Sequence, residues 1–482
     1  MKKSLFYLLF IISHVSFSQV QIGQIIDGQL IASDFLGTSV TSSGNGQIIA
    51  IGGTGNNNTG QFLGYVNVFI LENGNWSPLG DQIVPPEDAL SFGSSISLTS
   101  DGNTMIIGAP EAEVNGQGQF AGKVFVYEYN GSEWIQKGTT INGGPGSALG
   151  FSVDINDNGD RIVIGIPISF AHGQSSGNIE IYNYDGNDWV LAEFLPTPDP
   201  LEEFGSSVSM SSNGNIIAVG SKAHMQSTGL VRAFIFSSNQ WFQLEGDILG
   251  ENSGNLSGSS VSISENGNRI AIGAPWNSNN GGTQSGHIRV YERQNSEWIQ
   301  IGQDIDGESN SANIGTSIEL SANGNVLSYT SRTGELFAYG FINNSWVQLG
   351  STIESIIENN AFNSAAISGD GSTIIIGSPF ALTVGGAARI FDISALLNLE
   401  SFNQLDASIT LENNIGMGHL LIYKDNQLLS DSDYRVFAIS GQKVKEDTLT
   451  NGFIDIANLS TGTYFVKVNI NNSIIIRKFI KD

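Results

Sequence analysis

The motif Gly-Ser/Thr-Ser-Val/Ile returns along this chain at Gly37, Gly93, Gly205, Gly258 and Gly315, with a near match at Gly150 and a degraded copy at Asn363. Successive starts lie 56, 57, 55, 53, 57 and 48 residues apart. A period of this length marks one supersecondary unit used repeatedly, each copy burying its apolar face against the next. The fifth copy shows what the unit is. Val261 and Ile263, then Ile270 and Ile272, alternate with polar residues on either side of Asn266-Gly267. That pattern predicts two strands joined by a two-residue hairpin. Gly286 to Tyr291 and Glu297 to Gly302 supply a third and fourth strand. The unit is therefore a four-stranded antiparallel meander.

Two glycines keep their places in the copies. The hairpin glycine is Gly46, Gly102, Gly159, Gly214, Gly267 and Gly324, and a second closes the next strand at Gly52, Gly108, Gly165, Gly220, Gly273 and Gly377. The sixth copy departs, with Thr330 at that place. The fourth strand carries Trp76, Trp134, Trp189, Trp241, Trp298 and Trp346. A ring at one fixed place suits packing between neighbouring units, and a row of carbohydrate-stacking aromatics is the alternative.

The seventh copy lacks a fourth strand. Gln21 to Gly28 matches Gln300 to Gly307 at seven of eight positions, so the N-terminal segment is expected to supply the missing strand. This closes a ring. The expected fold is all-β, a seven-bladed β-propeller of four-stranded antiparallel blades over residues 19–393, followed by a linker at 394–408 and a small β-sandwich at 409–482. Ring closure leaves only short, protected sheet edges. With no Cys in 482 residues, disulfides, Cys-ligated metal and a Cys nucleophile are all excluded.

Phe92-Gly93-Ser-Ser-Ile, Phe204-Gly205-Ser-Ser-Val and Gly-Ala-Pro at 108–110 and 273–275 resemble the FG-GAP repeats of integrin α-subunit propellers and their bacterial relatives. The resemblance implies a calcium loop in some first hairpins. The best match is Asp154, Asn156 and Asn158, but Ile162 stands where a further carboxylate is expected. Calcium wants six to eight oxygens, several charged. These hairpins therefore read as turns without metal, and no cofactor is expected.

In such a meander the loops between strands 2 and 3 share a face with the linkers from strand 4 to the next strand 1. These are the long, variable connections. Binding usually sits on variable loops held by a rigid scaffold. Trp276, Phe120, Phe170 and His172, with Glu111 and Glu113, are the candidate ligand contacts. The alternative is that these aromatics tuck into local loop cores. In the sixth copy the loop shrinks to Ser331-Arg-Thr333, which predicts a notch in that face.

Charge narrows the partners. Residues 19–400 carry 37 acidic and 10 basic side chains, against 9 and 8 in residues 401–482. So acidic a body disfavours nucleic acid and anionic membranes. Lys2 and Lys3 followed by the apolar run Leu5 to Ile12 and small residues Ser16 and Ser18 read as a signal peptide over 1–18. The run is too short to span a membrane, and no other run is long enough.

From about Asn398 the period stops. Gly441-Gln-Lys-Val, Ile454-Asp455-Ile followed by Leu459, Gly462-Thr-Tyr464-Phe-Val-Lys and Lys478-Phe-Ile-Lys481 resemble, in order, a type A sorting domain of type IX secretion. Gly441, Gln442, Asp455, Leu459, Gly462, Tyr464, Lys478 and Lys481 are the residues that carry it. It implies passage through the periplasm, the type IX machinery as partner, and release or surface attachment. The usual Tyr-Pro-Asn-Pro entry is missing.

No nucleophile elbow, phosphate loop or dinucleotide fingerprint is present, and no two His are spaced as a metal pair. Acidic residues are many, and a carboxylate pair near the hub stays open. The expected function is an exported binding or adhesion module for extracellular carbohydrate or protein. A secreted polysaccharide-active enzyme on the same scaffold, or a structural surface protein without a ligand, are the alternatives.

Overall fold

The structure is a computed structural model. It describes residues 19–481 apart from 29–33, 56–62, 87–88, 115–119, 169–175, 198–200, 280, 355–363, 382–384, 398–408, 415–418, 425–426, 430–431, 439–442, 450–452, 461 and 471–472. The chain divides into two compact units, Met1–Leu396 and Leu397–Asp482. The expected signal segment lies outside the described residues.

The first unit is built from four-stranded antiparallel sheets, each a meander in chain order. The first sheet runs Leu36–Ser42, Ile48–Gly53, Tyr65–Glu72 and Asn75–Pro78. The fifth runs Ser260–Ile263, Arg269–Ala274, His287–Gln294 and Glu297–Gln300. The second, third, fourth and sixth sheets repeat this order between residues 95 and 354. The seventh takes Ser364–Ile367, Thr373–Ser378 and Ala387–Asp392 from the end of the unit. Its outer strand is Val20–Gln21, paired with Phe391 and Asp392, and Ile26–Asp27 then pairs with Ala388 and Ala387.

The hairpins differ from expectation in length. Ile263 pairs with Ile270, and Ser264 N donates to the Arg269 carbonyl at 2.9 Å, which leaves a four-residue turn. Only Gly267 of the Asn-Gly pair takes a positive φ, +72°. Side chains hold the turn instead. Arg269 N donates to Ser264 Oγ, which itself donates to Asn266 Oδ1. The same Ser/Thr and Asn/Asp pair closes the turns at Ser43 and Asn45, Thr99 and Asp101, Ser321 and Asn323, and Ser368 and Asp370. Two side-chain acceptors do what a tight turn would do with dihedral angles alone.

The core lies between sheets. Ile216, Val231 and Ile248 of the fourth sheet pack with Val261, Ile263 and Ile270 of the fifth, all buried. Ile49, Ile51 and Tyr65 of the first pack with Ala366, Ile375 and Ile390 of the seventh in the same manner. Each fully buried aliphatic side chain contributes about 1.5–3 kcal/mol. A single sheet has no partner for its apolar face, so its stability comes from its neighbours.

Contact between sheets is close enough to dictate sequence. A Cβ on Gly273 would lie 2.0 Å from the carbonyl oxygen of Gly315 in the next sheet. Ser260 Oγ donates to that same carbonyl at 2.7 Å. Ser39, Ser95, Ser152 and Ser207 donate in the same way to Gly93, Gly150, Gly205 and Gly258. Ser364 of the seventh sheet donates to Gly37 of the first at 2.8 Å. The tryptophans also work between sheets: Nε1 of Trp76, Trp134, Trp189 and Trp346 donates to the carbonyls of Ile22, Leu79, Lys137 and Ile301.

The second unit holds two antiparallel sheets. One pairs Ile409–Asn414, His419–Lys424 and Gln427–Leu428 with Phe453–Asp455, and the other orders Lys443–Thr448, Asp433–Ala438, Gly462–Ile470 and Ser473–Lys481. Leu420, Ile422, Val436, Ile454, Val466 and Val468 form its buried core.

Candidate functional site

The expected loop contacts do not converge on one place. Glu111 accepts from Ser91 Oγ at 2.8 Å, and Phe120, half exposed with φ +62°, ends the same loop of the second sheet. Trp276, 49% exposed, opens the corresponding loop of the fifth sheet, and no described contact joins it to Phe120 or Glu111. Glu113 lies in the second-sheet loop, and Phe170 and His172 lie outside the described residues.

Beside Trp276 stands an ionic cluster. Asn277 Nδ2 donates to Glu251 Oε2 at 3.2 Å, and Glu251, His287 and Asp304 bring one donor atom each within 4.8 Å of one another. One imidazole and two carboxylates could hold a divalent metal. Here Arg289 Nη2 bonds both Glu251 and Asp304, and its Nε reaches Asp304 Oδ1 at 3.0 Å. The guanidinium already supplies the positive charge the carboxylates need. Burial and the neighbouring Arg289 push His287 below its ordinary range, so it faces them neutral. The cluster reads as an ion-pair network tying the linker after the fourth sheet to the fifth.

A second candidate is the cavity of about 130 Å³ lined by the first strands and following turns of all the sheets in the first unit. The strand position that faces it carries Thr41, Ser97, Asp154, Ser209, Ser262 and Glu319, so two carboxylates interrupt a row of hydroxyl side chains; the seventh sheet has the buried Ala366 at this place. Asp154 accepts from Ser97 Oγ at 2.6 Å and from Met210 N at 2.7 Å. Glu319 Oε2 accepts from Ile367 N at 2.9 Å. Both are staples to the next sheet, in the role that Ser209 and Ser262 fill for Ile263 N and Leu320 N. Burial raises Asp154 to about 6, helped by the charge of Asp157. Burial and then the charge of Asp154 raise Glu319 to about 8. The supposed calcium loop is divided by this arrangement. Asp154 faces the cavity, while Asn156 Oδ1 accepts from Asp160 N and Arg161 N inside the turn.

The third candidate is the notch. The sixth sheet joins Val326–Thr330 to Glu335–Ile342 with four residues, and a cavity of about 270 Å³ opens there. Aromatic rings line its base, Phe337 and Tyr339 partly exposed and Tyr329 buried. Tyr329 and Phe337 stack at 4.9 Å and 14°, and the Tyr329 hydroxyl bonds that of Tyr339. Asp306, Glu308, Glu335, Ser331 and Thr352 complete the wall, and no Lys, Arg or His is among the lining residues. Glu335 Oε2 accepts from the hydroxyls of Ser331 and Thr333 at 2.8 and 2.7 Å. Register shows how unusual the floor is. Tyr329 pairs with Ile318, and the residues in its place in the other sheets are Ile51, Ile107, Ile164, Val219, Ile272 and Ile376. The shrunken loop announced the notch. The tyrosine, visible as the one aromatic in an aliphatic column, was the signal for its floor.

In the second unit, Leu459 packs on the core, Tyr464 is buried with its hydroxyl on the Ser460 carbonyl, and Asp455 Oδ1 accepts from Ala457 N. Gly462, Lys478 and Lys481 lie on its last two strands, and Gly441 and Gln442 fall outside the described residues. No helix among the described residues is long and apolar enough to cross a membrane. No curated protein matches the sequence. Residues 417–482 match the family model of the secretion system C-terminal sorting domain, the sorting domain of type IX secretion, and the chain is thus one that is exported and then secreted or attached at the cell surface.

Proposed function

We propose that this chain is an exported binding module whose first unit is a seven-bladed propeller of FG-GAP type, closed by its N-terminal strand. Two contacts support closure: Ser364 bonds Gly37 in the way that consecutive sheets bond each other, and Val20–Gln21 from the start of the unit supplies the outer strand of its last sheet by pairing with Phe391 and Asp392. The long-loop face presents the ligand site, and the cavity over the sixth sheet is that site. The observation that carries this reading is Tyr329. A repeat selected only for packing keeps its aliphatic column, and this one sets a tyrosine, 2% exposed, under the shortened loop, where it backs the partly buried Phe337 that lines the cavity. Sorting-dependent export brings such a site to extracellular carbohydrate or protein. A glycan array on the full chain, with hydrolysis assays in parallel, tests the proposal. Saturable binding without turnover is the expected result; turnover would favour a polysaccharide-active enzyme, and neither would favour a structural surface protein.

A further inference from the structure

The sixth-sheet cavity combines aromatic rings with three carboxylates that have no ion pair among the described residues. At the fifth sheet, Arg289 neutralises Glu251 and Asp304. At the fourth, Arg232 neutralises Glu202. Around the notch, among the described residues, Asp306 Oδ1 accepts from Asn279 Nδ2 at 2.7 Å and Glu335 from two hydroxyls. Glu308, exposed at the rim, makes no hydrogen bond or ion pair among the described residues. Arg332, in the loop alongside, is not part of the lining.

Charge and shape together limit what fits. Three carboxylates in an acidic body repel an anion and attract a cation. Phe337, partly exposed and stacked on the buried Tyr329, offers a flat apolar face, which suits the C–H face of a sugar ring, and an electron-rich one, which suits a cation close to it. A volume of about 270 Å³ lies just under the roughly 300 Å³ lower end of small-molecule pockets, enough for one ring and not for a chain. Resting on the reading of the first unit as a binding module, we propose that the cavity takes an amino sugar with a free amine, its ring over Phe337, which the buried Tyr329 backs, and its ammonium toward Glu308 and Glu335.

The test is calorimetric titration of the full chain with D-glucosamine, D-glucose, N-acetyl-D-glucosamine and Nα-acetyl-lysine amide, repeated on Tyr329→Ile and Glu308→Gln. Tyr329→Ile restores the residue of the sibling sheets, and Glu308 is exposed, so unchanged melting of Glu308→Gln separates site from scaffold. The expected result is saturable glucosamine binding, at least tenfold tighter than glucose or the acetylated sugar, weakened tenfold or more in both variants and by added salt. Equal binding of glucose, lost in Tyr329→Ile, would overturn the amine and leave the binding module standing. Tighter binding of the lysine amide would overturn the sugar in favour of a protein side chain. Binding untouched by either variant, or no binding of any probe, would overturn the cavity as the site.

Discussion

Gly377 lies against Gly37 across 340 residues of chain: a Cβ on Gly377 would sit 2.4 Å from the Gly37 carbonyl oxygen. The same approach recurs between Gly52 and Gly93, Gly108 and Gly150, Gly165 and Gly205, Gly220 and Gly258, and Gly273 and Gly315. Six junctions of one geometry account for the second glycine of the repeat. They also account for its exception. The sixth sheet has Thr330 at this place, and the next copy has lost its motif glycine to Asn363. Both departures fall on the one junction they share.

Gly377→Ala should therefore destabilise the first unit, because the obstacle is backbone and cannot turn aside. Overpacking of this kind costs about 1–3 kcal/mol. Gly246→Ala is the control, since nothing lies within 4 Å of its added Cβ and its φ is not left-handed. Thermal melting of the two variants checks the contrast. A melting point for Gly377→Ala equal to that of Gly246→Ala would show that the junction yields freely.

Deleting residues 19–28 removes the outer strand of the seventh sheet and the carbonyl of Ile22 that Trp76 Nε1 bonds at 3.0 Å. The strand Ala387–Asp392 would be left with an open edge, a template for pairing with other chains. The expected outcome is a lower melting temperature together with association at high concentration, read by calorimetry and light scattering. An unchanged, monodisperse protein would count against closure of the proposed ring.

Much of this scaffold was legible because it repeats. The offset from Val261 to Gly267 appears wherever the motif does, and the likeness of Gln21–Gly28 to Gln300–Gly307 located the strand that pairs with Ala387–Asp392. Chemistry that occurs once was harder to see. Asp154 gave the best match to a calcium loop in a hairpin that read as a turn without metal, and nothing in the sequence showed that the pleat turns it to the cavity while Asn156 closes the turn. Glu319 went unnoticed because a lone carboxylate in a strand gives no local signal, and only lateral comparison with Ser209 and Ser262 reveals it. Trp276 stood out by composition, yet its surroundings are ordered by Arg289, which no motif marks.

Trp346 is almost fully buried, and its Nε1 donates to the Ile301 carbonyl of the preceding sheet at 3.1 Å. Trp346→Phe keeps most of the ring area and orphans that carbonyl. Leaving a buried acceptor unsatisfied costs about 1–3 kcal/mol. Trp298, whose bond to Leu244 is longer at 3.4 Å, should lose less when changed to Phe. Parallel melts that rank Trp298→Phe as the more damaging change would place the role of these rings in area rather than in the hydrogen bond.

Glu319 gives the pH prediction. Its ordinary value is 4.5, and burial with the Asp154 charge raises it to about 8 in the folded chain. The unfolded chain therefore releases this proton first as pH rises. Below about pH 4.5 the group is neutral in both states and does not bias folding. Between about 4.5 and 8 the unfolded state is ionised and the folded one is not, so stability falls steadily across that window and levels off above it. Asp154 adds a slope of the same sign between 3.8 and about 6. Glu319→Gln keeps an acceptor for Ile367 N and removes the titration. The variant should match the wild type in melting temperature near pH 4 and exceed it at pH 8.5, the gap opening through the window named. A gap that stays constant with pH would mean that Glu319 ionises in the fold as readily as in water, and that the cavity around it is not the low-dielectric site its burial implies.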